Sequence, residues 1–279
     1  MKFPLFLWIG LLAVVFGSKG NALFAQSADG SLALPGAAHT AGIGHILSVS
    51  GEAANPAMLA FCGRGEAEMS YIDRFGLREL STLSASAAYA FRPFAAAVHY
   101  SYYGMRAYHE QRISLSAARR LHRHWALGLR VHCHLLHYSE EEPDKTALTA
   151  DVGLRVQASE RVSLGFLLQN PLQGGVRLGT SQKEERLPFS FSMGAAWQAL
   201  APLTLLCEAE KTEHHPIACR AAAEYAPFSC LVLRAGVQSQ PFSPGFGLGL
   251  RWNFVRLDAG FSHTSPLGFR SVCGLKFLF

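Results

Sequence analysis

Between Trp125 and Leu135 every second residue is apolar: Trp125, Leu127, Leu129, Val131, Cys133 and Leu135 share one phase. The other phase carries Gly128, Arg130, His132 and His134. Successive side chains of a β-strand point to opposite faces, so this period predicts a ribbon with one apolar and one polar face. The period recurs along the chain. Leu148, Ala150, Val152, Leu154 and Val156 oppose Thr149, Asp151, Gly153, Arg155 and Gln157. Phe189, Phe191, Met193, Ala195 and Trp197 oppose Ser190, Ser192, Gly194 and Gln198. Phe246, Leu248, Leu250, Trp252 and Phe254 oppose Gly247, Gly249, Arg251 and Asn253. At the end of the chain Phe269, Cys273, Leu275, Phe277 and Phe279 oppose Arg270, Gly274 and Lys276. Fourteen such segments are predicted, over 66–72, 80–91, 94–103, 112–121, 125–137, 147–158, 162–169, 188–198, 203–211, 217–225, 230–238, 246–254, 256–263 and 268–279.

A soluble sandwich alternates in the same way but buries its apolar faces together. Two features point instead to lipid. The apolar phases often begin or end on an aromatic residue, as girdles at the two edges of a bilayer require. The opposite phase is rich in Gly, Ser and Arg, which suits a wide, wet interior. The links also alternate: DRFGLRELS, GMRAYHEQ, SEEEPDKTA and NPLQGGVRLGTSQKEERLP are long, while RPF, LHRHW, ALAP and FVR are short. Long and short connections on opposite rims are typical of outer-membrane barrels. The expected fold is therefore all-β: a single transmembrane antiparallel β-barrel of about 14 strands with a short N-terminal hatch-like segment. An even strand number puts both termini on one side, expected to be periplasmic. A soluble periplasmic β-protein is the competing reading.

Composition sharpens this. Of 279 residues, 49% are hydrophobic and 16% charged, against about 25% charged in ordinary soluble domains. The net charge of +5 is spread thinly, with no basic block of the kind that binds nucleic acid. Residues 1–26 read as a signal peptide: Lys2, an apolar run from Phe3 to Phe16, and small residues around Ala25, Ser27 and Ala28 for cleavage. That run is short for a helical anchor, which needs about 20 residues. The remaining chain divides into a hatch or plug-like segment, 27–65, and a barrel, 66–279. Cys133, Cys207, Cys219 and Cys273 lie in the apolar phase, where unpaired cysteine acts as a small hydrophobe.

The segment GAAHTAGIGHILSVSGEAANPAMLA, through Gly42, Gly44, Asn55, Pro56 and Ala57, resembles the opening of FadL-like outer-membrane barrels, including the PorV and PorQ branch of Bacteroidetes-type bacteria. LRAGVQSQPFSPGFGLGLRW and RLDAGFSHTSPLGFRSVCGLKFLF are similar to the closing strands of that group. The terminal Phe277 and Phe279 look like the C-terminal signal read by the barrel-assembly machinery. The resemblance implies a location in the outer membrane of a Gram-negative bacterium. It further implies a hatch inside the lumen, outer-membrane lipid as surroundings, and no cofactor. For function it implies a secretion-accessory role with secreted proteins or secretion-system components as partners. The alternative is passive transport of small hydrophobic molecules.

Candidate chemistry is sparse. The lumen phase carries Arg130, Arg155, Arg220, Arg234, Arg251, Arg270 and Lys276 against Asp151, Glu208, Glu210, Glu224 and Asp258. Mixed signs on neighbouring strands predict ion pairs across the interior rather than a selectivity ring. Gly245, Gly247 and Gly249 lie in a strand with no following helix, so they are read as smooth inner wall for the hatch and not as a nucleotide loop. His132 and His134 share a face but lack an identifiable third ligand, so no metal site is assigned. His109, His137, His214, His215 and His263 fall at the long-link rim, where weak metal or haem binding is conceivable. Adjacent Ser262 and His263 point to opposite faces, and no nucleophile–base set is evident, so catalysis is not expected.

Overall fold

The computed structural model describes residues 36–279 except 51–53, 64, 92, 106–107, 138–144, 174, 178–183, 214 and 266. The expected signal peptide lies outside the described residues. The strands, in chain order, are β1 (Gly65–Arg74), β2 (Leu77–Phe91), β3 (Phe94–Gly104), β4 (His109–His122), β5 (Trp125–His137), β6 (Lys145–Gln157) and β7 (Val162–Gln169). A small hairpin follows, β8 (Gly175–Arg177) and β9 (Glu184–Arg186). Then come β10 (Ser190–Leu200), β11 (Leu203–Thr212), β12 (Ala218–Phe228), β13 (Leu231–Gln238), β14 (Ser243–Trp252), β15 (Val255–Thr264) and β16 (Gly268–Leu278). β8 and β9 pair only with each other, and the other strands form one closed antiparallel barrel. The predicted fold is thus the observed one: a transmembrane barrel of fourteen strands.

Closure is made by the two ends of the chain. β1 pairs with β16 from Glu66↔Leu278 to Arg74↔Arg270. Beyond the ladder, the Gly65 N–H donates to the Phe279 carbonyl at 2.8 Å and the Phe279 N–H donates to the Gly65 carbonyl at 2.9 Å. The Phe279 ring occupies the space a side chain at position 65 would need; a methyl group on Gly65 would lie 2.4 Å from it. The last residue therefore seals the seam, and β1 starts one residue earlier than the sequence pattern placed it.

The apolar phase faces outward throughout. Along β5, exposed and buried positions alternate from Trp125 to His132. Leu115, Leu129, Val131, Leu148, Phe246 and Leu257 are exposed on the outer wall. Tyr89, Phe91, Phe94, Trp125, Trp197, Tyr225, Phe228, Trp252, Phe277 and Phe279 form an exposed aromatic belt at the rim that carries the chain ends, here the terminal rim. Water does not favour so continuous an apolar wall, whereas hydrocarbon does. Cys207, Cys219 and Cys273 are free and exposed on it. No helix of the described residues is long and apolar enough to cross a membrane; the strands cross instead.

Connections differ from expectation at the opposite rim. The stretch read as the loop DRFGLRELS is mostly strand, with a two-residue turn at Phe75 and Gly76, whose φ values are 63° and 70°. Paired left-handed residues suit a tight hairpin whose twist matches the strands. Polar residues flank this turn because both faces of the ribbon are wet beyond the bilayer, so polarity there does not mean loop. β3 and β4 are likewise separated only by 105–108. At the terminal rim the turn after β14 is Asn253–Phe254, with φ 51° at Asn253, so Phe254 ends no strand. One long connection remains among the described segments, 170–189, and it contains β8 and β9.

Substituting Val131→Arg, midway along β5 on the outer wall, separates lipid from water as solvent. In phospholipid vesicles it should cost roughly 2–4 kcal/mol in urea unfolding. A neutral result would contradict a lipid-facing wall.

Candidate functional site: the hatch across the lumen

The segment between 36 and 62 lies inside the barrel. It holds helix α1 (Ala37–Gly42) and a 3-10 helix (Pro56–Phe61). Most of its described residues are buried. Asn55 starts the 3-10 helix in extended conformation, as the residue before proline must, and its Oδ1 accepts from the Ala57 N–H at 3.0 Å.

Glycines on the lumen face explain how the hatch fits. A methyl group on Gly128 would sit 2.3 Å from the Ala57 nitrogen, one on Gly153 would sit 1.9 Å from Asn55 Oδ1, and one on Gly165 would sit 2.0 Å from the Ser48 carbonyl oxygen. Gly236 and Gly260 meet the Ile43 and Ala38 backbones in the same way. Gly42 abuts Gly247, and Gly44, at φ 65°, abuts the Val237 backbone. The wall thus wears a band of missing side chains, level with the hatch, on β5, β6, β7, β13, β14 and β15. Of the predicted smooth patch, Gly245 and Gly247 touch the hatch; Gly249 instead makes room for Arg234 and Asp258.

Polar wall groups then hold the hatch backbone. Glu208 Oε2 accepts from the Leu47 N–H at 2.9 Å, the Ser48 N–H at 2.6 Å and the Ser48 hydroxyl at 2.5 Å, while Oε1 takes Arg220 Nη1 at 2.7 Å. Arg220 also pairs with Glu210. Arg130 donates to the Ala54 carbonyl at 3.0 Å and to Ser116 at 3.0 Å. Asn55 Nδ2 donates to the Ser48 carbonyl at 2.8 Å and to the Phe166 carbonyl of the wall at 3.2 Å. His39 of α1 pairs with Glu224, which binds Arg234 at 3.1 Å; Arg234 binds Asp258 at 2.7 Å, and Asp258 binds Arg256 at 2.8 Å. Lys276 meets Glu68 at 3.2 Å, and the Glu68 carboxylate accepts from the Gly36 N–H at 3.2 Å.

Several of the predicted lumen charges pair with one another as alternation implied, Arg220 with Glu208 and Glu210, and Arg234 with Glu224 and Asp258. Arg130, Arg155, Glu208 and Glu224 also hold the hatch, which alternation did not show. Arg155 stacks over Phe61 at 4.3 Å with Arg120 over the same ring at 4.4 Å, a clamp that was not foreseen. Arg270 is half-buried on β16, and Arg251 is exposed at the terminal rim. Glu66, Glu68 and His39 were overlooked, although the first two occupy the polar phase of β1.

His132 and His134 lie side by side, ring centroids 5.8 Å apart, but each bonds to other groups. His132 lies between Ser114 Oγ, 2.7 Å from Nδ1, and Asp151 Oδ2, 2.8 Å from Nε2, while His134 bonds Thr149 at 3.0 Å. This Ser–His–Asp chain was missed in the sequence because its members lie on β4, β5 and β6. At 1%, 4% and 3% exposure the three residues are sealed in the wall, out of reach of a substrate. Among the described residues no group of three or more His, Cys, Asp and Glu side chains is placed to hold a metal. The rim histidines are dispersed: His109 stacks on His137 at 4.7 Å, His263 leans on Phe269, and His214 lies outside the described residues.

The closed fourteen-stranded barrel has counterparts in overall fold among solved structures. The Pseudomonas putida toluene transporter TodX matches with a TM-score of 0.62 at 12% identity, over 88% of this chain and 97% of that one. The fold is FadL-like. The CymD monoaromatic hydrocarbon channel matches at TM-score 0.61 and 11% identity, covering 81% of this chain and 91% of that one. A Pseudomonas aeruginosa FadL homologue matches at 0.60 and 13%, over 85% and 96%. No family model matches the chain, and no curated protein matches it.

Glu208→Ala removes the acceptor of three hatch hydrogen bonds and leaves Arg220 with Glu210 and Gln238 as partners. Breaking such a buried set costs about 3 kcal/mol, on the order of a hundredfold in local opening. Hydrogen exchange at the Leu47 and Ser48 amides should accelerate accordingly, while the heat-shifted gel migration of the barrel stays unchanged.

Proposed function

We propose that the protein is an outer-membrane channel for small apolar molecules, closed in this state by its hatch. One observation carries the reading: an apolar seam between the hatch and the lumen face of the wall. Ile43, Ile46 and Val49 of the hatch cluster with Leu206 of β11, against Ala196 and Ala222. Leu47 and Ala54 cluster with Leu167 of β7. Leu167 and Leu206 break the polar phase where the hatch meets the wall.

Leu167 lies on one of the two shortest barrel strands, β7 and β13. β7 has 8 residues and β6 has 13, and their pairing ends at Asp151↔Gln169. Lys145–Ala150 thus rise above β7. There Asn170, at φ 50°, donates to the Leu187 carbonyl at 2.7 Å and ties the two ends of the 170–189 connection.

Support for the membrane assignment comes from the apolar outer wall and aromatic belt. Support for transport over a secretion-accessory role comes from the fold shared with the hydrocarbon channels above. The PorV- and PorQ-like expectation gains nothing from those matches. Termini facing the periplasm are part of the same proposal; the even strand number puts both ends on one side.

Cells whose outer membrane lacks its own hydrocarbon channel provide the test. Expression should raise uptake of radiolabelled toluene several-fold without raising uptake of a disaccharide. A Ser48→Cys/Gly194→Cys pair, whose positions adjoin across the hatch edge, should abolish the gain when oxidised and restore it when reduced. Unchanged toluene uptake with correctly folded barrel would refute transport.

A further inference from the structure

The terminal rim is electrically lopsided. Three of its tight turns are uncharged, Ala201–Pro202, Ser229–Cys230 and Asn253–Phe254, although Arg251 is exposed beside the last. The turn between β4 and β5 differs. Arg119, Arg120, His122 and Arg123 are all exposed there, and Arg161 follows in the next turn of the same rim. Glu160 is the acidic side chain among them.

Arg119 is the telling residue. It lies in the outward phase of β4, where its neighbours along the strand are Ala117 and Leu121. Among the described residues, the other charged side chains in the outward phase of barrel strands are Asp73, Glu79 and Lys211, all near the opposite rim. Arg119 sits instead inside the aromatic belt. Its guanidinium lies 5.1 Å from the centre of the Phe94 ring, and Phe94 stacks on Phe91 at 6.2 Å. A charge on the lipid face is tolerated where the bilayer turns polar, and stacking on an aromatic ring holds it flat at that level. Arg123 continues the patch beyond the strand, its Nε donating to His124 Nε2 at 2.7 Å.

We propose that the outer face at the end of β4 and the β4–β5 turn binds the phosphate of an anionic phospholipid in the adjoining leaflet, through Arg119 and Arg123. The guanidinium fork matches phosphate oxygens, and the outer wall below it offers Leu115, Leu129 and Val131 to the acyl chains. Continuity with the lipid-covered wall favours a lipid over an acidic protein segment, because Arg119 lies on the hydrocarbon side of the rim and not at its tip. The site is independent of what crosses the lumen.

Trp125 neighbours the patch and reports on it. With Trp8, Trp197 and Trp252 replaced by Phe, the full chain is reconstituted in vesicles containing brominated phosphatidylglycerol or brominated phosphatidylcholine. Quenching of Trp125 should reveal a preference for phosphatidylglycerol of about fivefold per arginine, reduced in 1 M salt. Arg119→Gln/Arg123→Gln should bring the ratio to about one, and Arg119→Lys/Arg123→Lys should keep most of it, with the heat-shifted gel band unchanged in both. A ratio near one in the parent overturns the proposal, as does a preference that survives the glutamine pair. Retention by an immobilised acidic peptide without any lipid preference overturns it too, making the patch a protein-docking surface.

Discussion

Hydrocarbon cannot accept or donate a hydrogen bond, and this single fact governs the molecule. Every backbone N–H and C=O within the bilayer must find a partner in the chain, so a sheet that enters lipid has to close. The reciprocal bonds between Gly65 and Phe279 complete that closure. Once the sheet is closed, the period-2 pattern has only two destinations. Apolar side chains go to lipid, and polar ones to the lumen.

The lumen then poses the opposite problem. Fourteen strands leave an interior too wide for side chains alone to fill, and the hatch occupies part of it. It is fixed both by apolar clusters, such as Ile43, Ile46 and Val49 against Leu206, and by carboxylates and guanidiniums aimed at its backbone. Glu208 takes two hatch N–H groups and a hydroxyl, and Arg130 takes the Ala54 carbonyl. Buried charges are costly to desolvate, so such contacts are better at fixing one position than at adding stability. Removing a few of them is expected to loosen the hatch while the barrel's own ladders stay closed. The apolar seam along Leu167 and Leu206 provides a surface that water does not claim.

Sequence and structure agree most closely where a period could be counted. Strand number, lumen phase and lipid phase followed from alternation, because each ribbon has one face in oil and one in water. Alternation was less informative beyond the bilayer. DRFGLRELS read as loop through its polarity, yet two-sided wetness permits strand there, and the left-handed Phe75–Gly76 pair folds it tightly. The hatch motif was visible as Asn55-Pro56-Ala57. Its function as a buried plug edge, bonded to the Phe166 carbonyl, was not.

Fold class, the faces of the strands and the position of the charged residues were written in the order of the amino acids, since a two-residue period depends only on neighbours in the chain. The partners of those charges were not. Asn55 and Gly153 are 98 residues apart and meet only when β6 closes into the wall; the Ser114–His132–Asp151 chain crosses three strands. Contacts of that range depend on register and on what the glycine band leaves empty. Both are properties of the closed barrel, which no local pattern carries.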